Sequence, residues 1–167
     1  SSPPPPPFFT KVLCDAECSG DGLLHKDAHR WRMWHPRAGV ELFHKQVRLL
    51  RRAVEVAKPG ASIVYSTCTM NPLENEAVVA ALVRAGLVEV VAAPQHLSQM
   101  VAGGSGFTKG MTSWGVPSQD GKLYNDFADS RRSGFHDPAV TPHHFPPSDP
   151  SHGHNGGSGV HGSLLTA

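Results

Sequence analysis

The chain has 167 residues, 39% of them hydrophobic, with 15 Lys and Arg against 14 Asp and Glu for a formal net charge of +1. So even a balance creates no overall field that would draw nucleic acid, and any contact with it must be local. Three cysteines are too few for a disulfide scaffold, and the apolar runs are too short for a membrane span or a signal h-region, which indicates a reducing, intracellular setting.

Residues 1–8 open the chain with five consecutive prolines and read as a Pro-rich, disordered lead. A run of β-prone residues from Phe8 to Asp15 follows and reads as a buried strand. Ser19 to Asp27 is a Gly, Asp and Ser loop, after which Trp31 and Trp34 stand three apart, as on one helical face, until Pro36 interrupts. From Val40 to Ala57 the apolar residues Val40, Phe43, Val47, Leu50 and Val54 recur at helical spacing, with Lys45, Arg48, Arg51, Arg52 and Glu55 on the other faces.

Lys58-Pro59-Gly60 reads as the end of that helix and Ala61 to Thr67 as a second strand. Strand, helix and strand at this spacing form a right-handed crossover, so the two strands should be parallel in one sheet and the fold class α/β. Asn71-Pro72-Leu73-Glu74 reads as a helix start, with Asn as N-cap and Glu in a capping box. The helix should run to Arg84, stop at Gly86, and give way to a third strand over Leu87 to Ala92. Residues 9–93 thus form the packed part, 94–150 an irregular segment, and 151–167 a Gly/His-rich tail too poor in apolar residues to fold by itself.

Two cysteines stand out. Cys18 follows the first strand and Cys68 the second, and the carboxyl edge of an open α/β sheet is where ligands and chemistry collect. Next to a helix start, Cys68 would have its thiol pKa lowered from ~8.5 and become a usable nucleophile. Cys18 would be the partner for proton handling. An ordinary buried free cysteine is the alternative reading of either. Cys14 and Cys18 are four apart, but a structural zinc needs further ligands in recognisable pairing, and His143-His144 and His152-x-His154 reflect biased composition; no metal is expected.

The segments carrying these cysteines resemble those of a known family. Cys14-Asp15-Ala16-Glu17-Cys18-Ser19-Gly20-Asp21-Gly22 is similar to the Asp-x-Pro-Cys-Ser-Gly motif of the Nop/Sun-type RNA cytosine-C5 methyltransferases. Tyr65-Ser66-Thr67-Cys68-Thr69-Met70-Asn71-Pro72-Leu73-Glu74-Asn75-Glu76 is similar to their Ser-Thr-Cys-Ser-x-x-Pro-x-Glu-x-Glu motif. Lys26 with Trp31 and Trp34, and Ser130-Arg131 with Phe145-Pro146-Pro147-x-Asp149-Pro150, resemble the tRNA-modifying branch.

The resemblance implies part of a Rossmann-like, S-adenosylmethionine-dependent methyltransferase fold with crossover helices on a parallel sheet. It implies that Cys68 adds to carbon 6 of cytosine, that carbon 5 is methylated, and that Cys18 assists release. It places Asp15 at the border of cofactor and target base, and makes RNA, tRNA in particular, the partner and a nuclear location the setting. The base must leave its stack. Lys26, Arg30, Arg32 and Arg37 could hold its phosphates.

Two departures from the family pattern matter. Glu17 replaces the motif's proline, and a carboxylate there would raise the Cys18 pKa and slow release. No strand followed by Gly-x-Gly-x-x-Gly precedes Asp15, and Gly103 to Gly106 has no strand before it, so the chain reads as a fragment carrying the catalytic half. A non-catalytic RNA-binding or assembly module derived from the same family is the alternative.

Overall fold

A computed structural model describes residues 7–92, 108–132, 137–147, 158–159 and 162–166. Strand β1 (Phe9–Asp15) is followed by a single 3-10 turn at Asp21–Leu23, helix α1 (Ala28–Met33), helix α2 (Ala38–Val56) and strand β2 (Ala57–Ser66). Helix α3 (Glu76–Arg84) and strand β3 (Glu89–Val90) come next. The remaining elements are β4 (Thr108–Lys109), β5 (Val116–Pro117), β6 (Leu123–Tyr124), α4 (Phe127–Arg132), a 3-10 turn at Pro142–His144, β7 (Ser158–Gly159) and β8 (Gly162–Thr166).

The expected crossover is present: β1 and β2 are parallel, with Val12 opposite Ile63, Cys14 opposite Tyr65 and Asp15 opposite Ser66. Period-2 alternation puts Val12 and Cys14 on the same face as Ile63 and Tyr65, and the apolar stripe of α2 packs there through Phe43, Leu50 and Ala53. From α3, Ala77, Val78, Val79 and Leu82 join the same core. Each fully buried large side chain, among them Phe43, Leu50, Ile63 and Leu82, contributes about 1.5–3 kcal/mol of transfer free energy.

Several boundaries differ from those read in the sequence. β1 is not buried on both faces: its outer side chains Phe9 and Leu13 are exposed, Leu13 by 71%, because within the described sheet it pairs only with β2 and helices cover only the other face. Lys58-Pro59-Gly60 does not separate helix from strand. β2 already starts at Ala57, opposite Phe9, and the extra residues are absorbed by a register shift before Lys11 meets Ser62. Gly60 there has a positive φ of 78° that only glycine adopts without strain. α3 starts at Glu76 with Asn75 as N-cap, after a turn in which Asn71 Oδ1 accepts from Leu73 N–H, so the capping box at Asn71 does not form. The third strand is shorter than expected, Glu89–Val90.

The tail makes the largest correction. Gly162–Thr166 is not disordered but forms β8, antiparallel to both β2 and β3 and lying between them in the order β1-β2-β8-β3. Leu165 is fully buried in the core, so one well-placed side chain ties the tail to the sheet. The sheet is therefore mixed, although β3 keeps the direction of β2 as a second crossover requires. Residues 1–6, Pro94, Gly103 to Gly106, Asp149-Pro150 and His152-x-His154 lie outside the described residues.

The segment after 108 is less irregular than expected. The β5–β6 hairpin and the 137–147 loop enclose a second small core of Val40, Leu73, Val116, Tyr124, Val140 and Phe145. Arg37, at the N-cap of α2, pairs with Asp137 at 2.6 Å and donates to the Pro117 carbonyl, fastening this unit to the sheet domain. His144 is fully buried against the Phe43 ring, 4.2 Å between centroids, and accepts from Thr141 N–H.

Burial lowers the His144 pKa from 6.5 to about 4, with the nearby His44 and His143 adding to the effect. The unfolded chain takes up this proton near pH 6.5, whereas the folded chain refuses it until about pH 4. Stability is thus complete above the unfolded value and declines as pH falls through that window. Urea unfolding should show a loss on the order of 2–3 kcal/mol from this group between pH 7 and pH 4. His144→Asn, whatever its starting stability, should flatten that slope; equal slopes in the two proteins would contradict the assignment.

Candidate active site at the strand ends

The last paired residues of β1 and β2 are Asp15 and Ser66, and Ser66 Oγ donates to Asp15 Oδ1 at 2.9 Å. Ala16 N–H then donates to the Ser66 carbonyl, extending the ladder one step before the chains part. Cys18 and Cys68 follow this common end at nearly equal distance along their chains. Their sulfurs are 3.0 Å apart, and Cys68 N–H donates to Cys18 Sγ at 3.3 Å. The two cysteines singled out in the sequence therefore share one site, with Cys68 exposed and Cys18 partly buried.

What holds them is a buried carboxylate. Glu74 is fully inaccessible. It accepts from Ser19 N–H at 2.8 Å, Ser19 Oγ at 2.5 Å, Gln46 Nε2 at 3.0 Å and Thr69 Oγ1 at 3.4 Å. Gln46 also donates to the Glu17 carbonyl, and Tyr65 OH donates to the Glu74 carbonyl. Asp21 adds a second link, accepting from Met70 N–H at 2.7 Å. Gly22 packs so tightly against this strand-end loop that a Cβ on it would lie 2.6 Å from the Cys68 carbonyl oxygen. Any larger residue there would displace the Cys68 backbone.

The electrostatics separate the thiols. Burial, followed by the hydrogen bond with Cys68, pushes Cys18 up to about 12, against the smaller opposing effect of N–H groups from Cys68 and Gly20. Cys18 therefore keeps its proton at neutral pH, within hydrogen-bond distance of Cys68 Sγ. Glu17 is not the cause of this rise. Its side chain is exposed and drawn away to Lys45 Nζ, which corrects the expected carboxylate effect on Cys18. A helix start beside Cys68 is also absent, since α3 begins eight positions later at Glu76. Cys14 packs against the core from β1, and burial raises its pKa. Among the described residues no three His, Cys, Asp or Glu side chains come together as metal ligands.

The basic residues fall into two groups. Lys26 and Arg32 are exposed, and Arg30 is held by Asp27, the N-cap of α1 whose Oδ1 accepts from His29 and Arg30 N–H. Arg37 is committed to Asp137 and is not offered to a phosphate. Trp31 and Trp34 do not share a helical face: Trp31 is 65% exposed on α1, whereas Trp34 is its C-cap in extended conformation.

Glu74, Gln46, Ser19, Thr69 and Tyr65 were not assigned from sequence. Gln46 carried a signal, a polar residue three positions after Phe43 on the buried stripe of α2. Glu74 carried another, standing inside the second quoted motif.

With this geometry in hand, the comparisons with known proteins are direct. Residues 4–124 match the family model described as 16S rRNA methyltransferase RsmB/F, and the chain belongs to that family. It is 36% identical over 110 residues to a multisite-specific tRNA:(cytosine-C(5))-methyltransferase of Saccharomyces cerevisiae, covering 65% of this chain and 15% of that protein. It is 39% identical over 114 residues to a tRNA (cytosine(34)-C(5))-methyltransferase of Drosophila melanogaster, covering 67% of this chain and 15% of that one. The chain thus spans about 15% of the length of these relatives. A methyltransferase homologue of known structure from Pyrococcus horikoshii is 29% identical with a TM-score of 0.44, covering 64% of this chain and 29% of that one.

Two outcomes test the site. Glu74→Ala leaves Ser19 N–H and the Gln46 amide without their acceptor, and urea unfolding should show a loss of about 3 kcal/mol; a change within about 0.5 kcal/mol would show that Glu74 does not clamp the loops. Mild oxidation with oxidised glutathione should join Cys18 to Cys68, so that thiol titration falls from three groups to the single Cys14. Cys18→Ser should prevent that pairing, and an unchanged thiol count in the unsubstituted chain would place the sulfurs too far apart.

Proposed function

We propose that this chain carries the catalytic half of an S-adenosylmethionine-dependent RNA cytosine-C5 methyltransferase acting on tRNA. The observation that carries the reading is the thiol pair: an exposed cysteine at one strand end, hydrogen-bonded to a protonated cysteine at the next. Family membership and the tRNA-directed names of the relatives support the substrate class.

Cys68 Sγ, its thiol proton passing to solvent at its exposed position, adds to carbon 6 of an extruded cytosine, and the electron pair of the 5,6 double bond shifts toward carbon 5. S-adenosylmethionine, when bound, supplies the methyl group to that carbon. Loss of the carbon 5 proton and expulsion of Cys68 Sγ then restore the double bond. Cys18 is the group beside the adduct for that proton, and it must first give up its own to solvent, a step its burial opposes.

Asp15 fits the cofactor's edge of the site. Its carboxylate is exposed at the end of β1 with Oδ1 bonded to Ser66, and an acceptor of this kind suits a cationic amino group. Lys26 and Arg32 are placed for RNA phosphates, and Arg30 can join them by leaving Asp27. An intracellular site of action goes with this reading, supported by three free cysteines, and a nuclear one is proposed with the tRNA substrate alone.

The decisive experiment uses tRNA containing a cytosine analogue with nitrogen at ring position 5, which has no proton to lose and traps the thiol adduct. A covalent complex resistant to denaturation should form with the unsubstituted chain and disappear with Cys68→Ala. An adduct that survives Cys68→Ala would refute the assignment of the nucleophile. Absence of any adduct despite measurable RNA binding would favour the non-catalytic RNA-binding reading.

A further inference from the structure

Beside the thiol pair lies a cavity of about 410 Å³. Its volume falls within the ~300–1,000 Å³ of small-ligand sites. Trp34, Pro36, Met70, Trp114 and Pro117 wall it, with Asp21 at the side nearest the cysteines. Neither Cys18 nor Cys68 lines it. Met70, two residues from Cys68, is a wall of it, and two residues span at most about 7 Å, so the space opens within one base of the thiol.

The cavity is firmly built on the sides that matter. Asp21 Oδ1 accepts from Met70 N–H at 2.7 Å, so one wall is shared with the loops that hold the thiols. Trp114 is fixed by its Nε1–H bond to the His144 carbonyl at 2.7 Å. The Trp34 backbone is fixed as the C-cap of α1, its main-chain N–H donating to the Arg30 carbonyl, while its indole Nε1–H is buried with no partner among the described residues. The same short helix carries exposed Arg32 two residues before Trp34, and exposed Lys26 lies two residues before the helix, so cationic side chains neighbour Trp34 along the chain. Aromatic faces beside cations are the chemistry that receives single-stranded nucleic acid, base on ring and phosphate on cation. Met70 adds a soft, 63% exposed wall that can adapt to either ring size.

We infer that this cavity takes up the nucleobase adjacent to the target cytosine, stacked against Trp34 and Trp114, with Lys26 and Arg32 on the flanking phosphates. The inference rests on the RNA reading given above and adds to it a second base subsite. Unstacking the target removes its neighbour's partner as well, and the cavity supplies that neighbour with a replacement surface. Selectivity there is by stacking rather than by hydrogen-bond code, so it tolerates different bases.

The test is binding of short single-stranded RNAs with one central cytosine, followed by fluorescence polarisation. Oligonucleotides with all bases present are compared with ones abasic immediately 5′ or immediately 3′ of the cytosine. The unsubstituted chain should lose about tenfold in affinity for one of the two abasic RNAs and little for the other. Trp34→Leu should show about the same loss toward intact RNA and no further loss toward the abasic one. Trp34→Phe, which keeps a flat ring, should retain most of the affinity and the abasic effect. Equal affinity for intact and abasic RNAs, or losses that simply add between Trp34→Leu and the abasic site, would overturn the subsite while leaving RNA binding intact. No measurable binding of any RNA would overturn the RNA reading and this inference together.

Discussion

A carboxylate without access to water is stable only if donors surround it, and at Glu74 those donors come from different parts of the chain: the Ser19 backbone and hydroxyl after β1, and the Gln46 amide in the middle of α2. Satisfying one side chain therefore fixes the loop after β1 against the loop after β2. The ladder itself ends with the Ala16 N–H bond to Ser66, so beyond it Cys18 is held over Cys68 by Glu74 together with the Asp21–Met70 link. Tyr65 contributes from the core side, its hydroxyl capping the Glu74 carbonyl while its ring packs among the α2 and α3 side chains. The same interaction thus ties the hydrophobic core to the chemistry above it.

The crossover explains why two residues so distant in sequence meet at all. A parallel pair in a right-handed βαβ unit brings both carboxyl ends to one edge, and the matched register from Lys11–Ser62 to Asp15–Ser66 makes the two loops leave at the same level. A slip of one position would turn Cys14 outward and Leu13 inward, exchanging the faces of the strand. Burial of Ile63 and Tyr65 against α2 excludes that slip, so apolar packing sets the height at which the thiols emerge.

How much of this was legible in the sequence depended on whether the signal was periodic. α2 was readable because Val40, Phe43, Leu50 and their neighbours repeat at helical spacing, and the parallel pairing followed from connection length. The start of β2 was misread because Lys58-Pro59-Gly60 looks like a stop, yet extended backbone with one positive φ at Gly60 continues through it. The start of α3 was misread because Glu74 looked like a capping residue, whereas its side chain turns inward to the loop after β1. β8 was hidden because its apolar content is Leu164-Leu165 in a polar tail, too short a run to show a period, and its place depends on a gap between β2 and β3 that only the folded sheet defines. The thiol pair was legible as two strand-end cysteines, but the clamp that joins them was not, since buried polar partners distant in sequence leave no local pattern.

The unequal environments of the two thiols follow from that clamp. Holding Ser19 to Glu74 draws Cys18 partly below the surface, where desolvation favours the neutral form, while Cys68 stays at the rim of its loop. Cys18 is consequently the stable proton holder of the pair. Glu17, the residue that departs from the family motif, stands next to Cys18 in sequence but is removed from this balance by Lys45 on α2. Substituting the motif's proline thus alters the surface of the loop and leaves the proton distribution to burial and to Cys68. The asymmetry between the proposed nucleophile and its proposed proton partner follows the depth at which each strand-end loop is anchored, and Glu74 anchors the loop that carries Cys18.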